Sequence, residues 1–260
     1  MASAPPWLPD WRNGDAYATL VRAEASAIAW EWLRRDPRYR AAASVPGEGS
    51  AAAPAVVCAQ PAAARWGLHA FAEPSLAADA AHPVWRGEWF PRVLVAEATR
   101  GGDAGDRFDL ARFARAATVV REAAGLERVL LSDGPASLRV DVVAGSVLAG
   151  PVRLAYRLAG VAAAQDPLDT LQGLLRLCRT GRLHPPAPRS RNRRLILLLR
   201  AHDALQAGAS QREIAEVLLS GEAARARWRA EVPSLRLRAQ RLAKGARAMA
   251  GGGYRSLLRA

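Results

Sequence analysis

Hydrophobic positions change their period along this chain, and each change marks a different kind of element. From Asp15 to Ala42, Tyr17, Leu20, Val21, Ala25, Ile28, Trp32 and Leu33 recur mainly at spacings of three and four, which predicts a helix. Pro37 is expected to end it, because the residue before a proline avoids helical geometry. Residues 46–64 are rich in Ala, Pro, Gly and Ser and read as a linker. The period then shortens. Arg92–Ala96 and Val152–Leu158 are strand candidates, and Arg128–Ser132 with Leu138–Val143 read as two strands around Asp133-Gly134-Pro135. Leu138, Val140 and Val142 alternate with Arg139 and Asp141, as in a half-buried strand. Leu110–Ala124 is predicted helical.

From residue 166 the helical period returns. Leu171, Leu174, Leu175 and Cys178 form one stripe of a helix over Leu168–Thr180. A second helix, Arg191–Ala207, turns Leu195, Leu198, Leu199, His202 and Leu205 inward, and Gly208 supplies its left-handed end. Ser210-Gln211-Arg212-Glu213 is a capping box that opens a short helix to Leu219. Gly221 breaks that helix, Glu222–Ala230 forms another around Trp228, and Pro233-Ser234 start a last one reaching Met249. A short helix, a turn region and a longer basic helix are the parts of a helix-turn-helix.

On a wheel of 100° per residue, Leu235, Ala239, Leu242, Ala246 and Met249 fall within about 80° of one another. Arg236, Gln240, Lys244 and Arg247 fall opposite, with Arg238 and Arg241 on the flank. One face can pack while the other enters a major groove, where Arg and Gln reach base edges and Arg and Lys neutralise phosphates. The expected fold is therefore α+β and mostly α. It has a helical N-terminal segment (1–45), a linker (46–64), a small mixed α+β module (65–160) and a helix-turn-helix-type domain (166–260).

Charge sharpens this picture. The chain carries 37 basic and 24 acidic residues, a formal net charge of +13, and only one of the bases, Lys244, is lysine. Residues 1–181 hold 20 bases and 19 acids, whereas residues 182–260 hold 17 and 5, a net of +12. A basic block behind a neutral body is the footprint of a polyanion binder. Cys58 and Cys178 stand 120 positions apart without metal-ligand spacing. The longest purely aliphatic run, Leu195–Leu199, is too short to cross a bilayer. The first residues lack an apolar signal core, so a cytoplasmic location is expected.

Catalysis finds little support. His69, His82, His184 and His202 are scattered, and no phosphate loop, nucleophile elbow or metal motif is present. Tyr254 could serve a tyrosine recombinase, but no ordered Arg and His set accompanies it; packing of the C-terminal turn is the expected role. No enzyme activity, cofactor, metal or small-molecule substrate is expected. Trp7, Trp11, Trp30 and Trp32 could form a protein-docking patch, but burial preference favours a core role.

The segment from Arg193 through Leu219, with Ser234–Leu242 and Gly252–Leu258, resembles the RovC-like DNA-binding domain of proteobacteria. That family includes a transcription factor for type VI secretion and regulators on integrative and conjugative elements. Trp30-Glu31-Trp32-Leu33-Arg34-Arg35-Asp36-Pro37-Arg38-Tyr39-Arg40 resembles a short transcriptional-regulator domain often found before it. The resemblance implies a sequence-specific regulator that binds double-stranded DNA as a homo-oligomer. The residues expected at the DNA are Ser210, Gln211, Arg212, Ser234, Arg236, Arg238, Gln240, Arg241, Lys244 and Arg247. A protein-binding antiactivator that reads no DNA is the alternative.

Overall fold

The computed structural model describes residues 7–43, 53–101, 103–185, 187, 190–219 and 232–259. The N-terminal stretch is not one helix. A 3-10 turn spans Asp15–Arg22, α1 spans Ala25–Leu33 and α2 spans Pro37–Ala43. Glu24, extended at φ −66° and ψ 160°, separates the first two. Pro37 opens α2: at the first helical position its missing N–H has no bond to lose and its φ is already set.

Seven strands form one mixed sheet. They are β1 (Ala55–Cys58), β2 (Val93–Arg100), β3 (Arg107–Phe108), β4 (Ala117–Arg121), β5 (Glu127–Ser132), β6 (Ser137–Ala144) and β7 (Val152–Arg157). The spatial order is β1-β4-β5-β6-β2-β7-β3. β1 runs parallel to β4 and β2 parallel to β6; the remaining pairs are antiparallel. The α+β class is as expected, and so are the hairpin of β5 and β6 and the strands at β2 and β7.

Two expectations fail here. The helix predicted over Leu110–Ala124 ends as a 3-10 turn at Ala116, and Ala117–Arg121 is β4. Thr118, Val119 and Val120 are β-branched and lose rotamer freedom in a helix, whereas β1 and β5 offer pairing on both edges. In the stretch read as a linker, Val56 and Val57 pair with Val119 and Val120, and Pro61–Trp66 forms a 3-10 turn.

Both faces of the sheet are covered. On one, α4 (Gln165–Thr180) lays Leu174 and Leu177 over Leu94, Val140 and Val142. Gly173 lies so close to Leu138 that a Cβ would approach its Cδ2 to 2.6 Å. Leu175, expected inward, is 48% exposed; the packed stripe passes through Thr170, Leu174 and Leu177. On the other face Arg139 and Asp141, expected in water, are buried. Arg139 donates to the Trp85 carbonyl, so the segment around Trp85 closes over the strand's polar side.

The remaining helices are α5 (Ser190–Gln206), α6 (Gln211–Ile214) running into a π-type turn at Ala215–Leu219, α7 (Val232–Ala250), and a 3-10 turn at Gly253–Arg259. They do not pack alone. Trp11, Tyr17, Ile28, Trp30, Trp32, Leu33 and Tyr39 share a core with Leu195, Leu199, Ala246, Tyr254, Leu257 and Leu258. The first and last parts of the chain thus form one helical layer, and the sheet carries its own core. Trp11, Trp30 and Trp32 are buried, as the core reading requires, and so is Tyr254.

Candidate nucleic-acid interface

The last helix sorts its residues as the wheel requires. Leu235, Ala239, Ala243 and Ala246 are buried, while Arg236, Arg238, Gln240, Arg241, Lys244 and Arg247 are exposed. A stripe of small residues allows close approach to α5: a Cβ on Gly245 would lie 2.8 Å from Cδ2 of Leu198. Among the described residues, no carboxylate lies within ion-pairing distance of Arg236, Arg238, Arg241, Lys244 or Arg247. The face is therefore a cluster of five cations and one amide, its charge uncompensated by any described carboxylate. Leu237 is 45% exposed within it. Ser234 belongs to α7 by its backbone.

The turn before α6 is built from specific backbone requirements. Gly208 adopts φ +77°, and Ala209 N–H bonds back to the Ala204 carbonyl, ending α5. Ser210 caps α6: its hydroxyl accepts from Glu213 N–H at 3.2 Å, and its own N–H donates to Glu213 Oε2 at 2.8 Å. Donation to that carboxylate by the Ser210 N–H, and then by the Ser210 hydroxyl at 3.0 Å, holds Glu213 below its usual pKa. Ile214 and Ala215 are buried, which docks α6 and fixes its angle. Ser210, Gln211 and Arg212 are exposed, but two of them are already engaged. The Ser210 hydroxyl belongs to the cap, and Arg212 Nε donates to Glu216 Oε1 at 2.8 Å. Residues 220–231, where the helix expected over Glu222–Ala230 with Arg225, Arg227, Trp228 and Arg229 falls, lie outside the described residues.

Sequence reasoning missed a second charged group, which is internal. Arg35 sits in α1's trailing turn with its guanidinium fully engaged. Nε and Nη2 donate to both oxygens of Asp203 on α5, at 2.7 and 2.9 Å. Nη1 donates to Glu31 Oε2 and to the Glu31 carbonyl, each at 2.6 Å. Tyr17 donates to Asp203 Oδ2 at 2.7 Å, and Arg34 Nε to Glu31 Oε2 at 2.8 Å. Burial opposes ionisation of Glu31, but Arg35 and Arg34 outweigh it and hold its pKa down. Burial, and then the Asp203 carboxylate, push the Tyr17 phenol up. The only sequence signal was the spacing of Glu31, Arg34 and Arg35 inside an apolar helix. His202, next to Asp203, packs against Trp32 with ring centroids 5.5 Å apart and the planes tilted by 52°, which makes it a core histidine.

The sheet carries a third charged group beside a cavity of about 550 Å³. Arg128 bonds Glu122 and Asp141 at 2.9 and 2.6 Å, Arg139 approaches Asp141 at 2.7 Å, and His69 Nδ1 lies 3.0 Å from Glu122. Burial and then the Arg139 cation push His69 down to about 4, so it is neutral near pH 7 and Nδ1–H donates to the carboxylate. Among the described residues no group of three or more His, Cys, Asp or Glu is placed to hold a metal ion. Cys58 and Cys178 are free thiols. No helix of the described residues is long and apolar enough to cross a membrane.

Comparison with protein families agrees with the ends of the chain. Residues 157–259 match the RovC family model, described as the DNA-binding domain of a T6SS transcription factor. Residues 10–69 match a proteobacterial transcriptional regulator-like domain. Together they bracket residues 70–156, where most of the sheet lies. No curated protein matches the chain.

Proposed function

We propose, from those two matches, that this protein is a sequence-specific transcriptional regulator that binds promoter DNA with α7 in the major groove. The observation that carries the reading is the division of α7 into a buried stripe and an uncompensated cationic face. Exposed cations without a neighbouring carboxylate are what phosphates and guanine edges recruit. Phosphate neutralisation by Arg238, Arg241, Lys244 and Arg247 supplies affinity, and release of condensed counterions makes it fall with salt. Arg236 and Gln240, one turn apart on the exposed face, supply base contacts: bidentate Arg to guanine and Gln to adenine. α6, fixed by its cap, sets the angle at which α7 meets the groove, and Gln211 and Arg212 reach the flanking backbone. A symmetric dimer or higher oligomer on a palindromic site follows the usual pairing of protein and operator symmetry. The antiactivator alternative loses support, because three of the four tryptophans offered for docking, Trp11, Trp30 and Trp32, are in the core, while Trp7 is half-buried.

Genomic fragments captured by the full-length protein at two salt concentrations test this. Discrete upstream regions that persist at the higher salt are the expected result. Uniform, salt-labile recovery would reduce the basic block to an electrostatic patch. A sharp monomer mass with and without DNA would remove the oligomer.

A further inference from the structure

The two family matches meet at a buried junction. Asp203 is 1% exposed, and among the described residues its carboxylate is bonded by Arg35 and Tyr17, both from the N-terminal segment. Eleven residues earlier on α5, the Asn192 amide donates to the carbonyls of Leu20, Val21 and Ala23 at 3.3, 3.1 and 2.9 Å. Arg200, on the same helix, donates to the carbonyls of Trp11 and Arg12 at 2.9 and 3.0 Å. Leu195, Leu199, Tyr254, Leu257 and Leu258 bury against the same segment. Without residues 10–43, α5 would carry an unpaired buried carboxylate, an orphaned amide and an exposed apolar face. Breaking a buried pair from one side is far more destabilising than never having it.

α5 is also the support of α7. The two helices cross where Gly245 meets Leu198, and Ala246 belongs to the core shared with the N-terminal segment. We propose that residues 190–259 are not an autonomous DNA-binding domain: residues 10–43 are its missing layer, and Asp203, held by Arg35 and Tyr17, is the positioning residue that seats them. The surface formed by α5, α7 and the C-terminal turn is thus an interface whose occupant is the chain's own Trp-rich segment. The docking stands on the geometry alone; its consequence for DNA rests on the function proposed above.

A protease site inserted after His184, in the exposed stretch following α4, lets the purified full chain be nicked. The expected result is that the halves co-elute on gel filtration. They should bind the best genomic fragment within twofold of the uncut protein. With Arg35→Ala, the nicked halves should separate and the affinity fall at least tenfold. Arg35→Leu with Asp203→Leu removes both charges and should restore co-elution, which a generic packing defect at Arg35 would not allow. If Arg35→Ala does not fold, Tyr17→Phe keeps the ring and removes one bond to Asp203; its nicked halves should part several-fold faster than wild type. Separation of the wild-type halves, with full affinity kept by the released C-terminal piece, would overturn the proposal. So would Arg35→Ala or Tyr17→Phe halves that hold together as wild type. A full chain that selects no DNA would sink the DNA reading, while co-elution would still decide the docking.

Discussion

Arg35 and Arg236 carry the same guanidinium on helical segments at opposite ends of the chain, and their surroundings differ completely. Arg35 is buried with two carboxylates and a carbonyl around it, so all three of its guanidinium nitrogens are engaged inside the protein. Arg236 is exposed on a helix face that holds four more cations and, among the described residues, no carboxylate within reach. A charge count treats the two alike. What separates them is the company on the helix: α1 is apolar nearly all round, so a charge there must find a buried partner, whereas α7 has one apolar stripe and leaves its charges to water. Basic residues mark an interface only where the fold leaves their charge uncompensated.

The contrast can be broken most forcefully at Arg35. Arg35→Ala strands Asp203 and is expected to cost about 3–5 kcal/mol of unfolding free energy. Arg236→Ala, which removes an exposed side chain, should stay within about 0.5 kcal/mol. Urea unfolding of the full-length variants measures both; equal losses would erase the distinction. The next largest effect belongs to the exposed face. Arg236→Ala combined with Arg241→Ala should leave the unfolding midpoint unchanged. With Arg241 neutralising one phosphate, the slope of log K against log salt should shrink by about 0.9. A base contact by Arg236 adds about 1–3 kcal/mol of lost discrimination at one position of the site. Full affinity and an unchanged slope would remove these residues from the reading helix.

How much of this was legible in the sequence follows from the same contrast. The capping box, the glycine at the end of α5, the two faces of α7 and the β5–β6 hairpin are local, written within a few residues, and all are present. What depends on distant parts of the chain was not legible. Arg139 and Asp141 alternate with Leu138, Val140 and Val142 as solvent-facing residues would, yet the segment around Trp85 covers them. Thr118–Val120 joined a helical pattern until β1, sixty residues earlier, offered an edge to pair with. Asp203 lies 168 residues from Arg35, and no periodicity connects them. The site fared likewise: the exposed face of α7 was visible, and the N-terminal segment was legible as a Trp-rich helical unit but not as the layer that packs on α5.

The sheet's charged group sharpens the comparison in a pH-dependent way. His69 is held down to about 4 by burial and the Arg139 cation, with Glu122, Asp141 and Arg128 as its other charged neighbours. Unfolded, it titrates near 6.5. Between these values the unfolded chain binds the proton and the folded one does not, so stability is full above pH 6.5 and declines as pH falls towards 4. Each unit of separation corresponds to about 1.4 kcal/mol, reduced where water in the adjoining cavity screens the ring. Burial lowers His82 and His202 as well and adds to the same decline. Thermal melts from pH 7 to 4.5 should show Tm falling, and His69→Gln should flatten the fall. A Tm independent of pH over that range would mean the imidazole is solvated.

The smallest effect separates the two uses of a single turn. Ser210 was expected at the DNA, and its hydroxyl is already taken by the α6 cap. If the cap is its whole role, Ser210→Ala should cost about 1 kcal/mol of stability, the ordinary value for losing an N-cap. The salt slope of DNA binding should then stay at its wild-type value, because no phosphate contact has gone. Ser210→Asp provides the complementary arm. A carboxylate caps as well as a hydroxyl and favours the positive end of a helix, so stability should hold. Its added negative charge would repel a phosphate lying against this turn and weaken binding. Stability kept with affinity lost would place the DNA backbone beside Ser210; both kept would leave α6 as a purely mechanical support for α7.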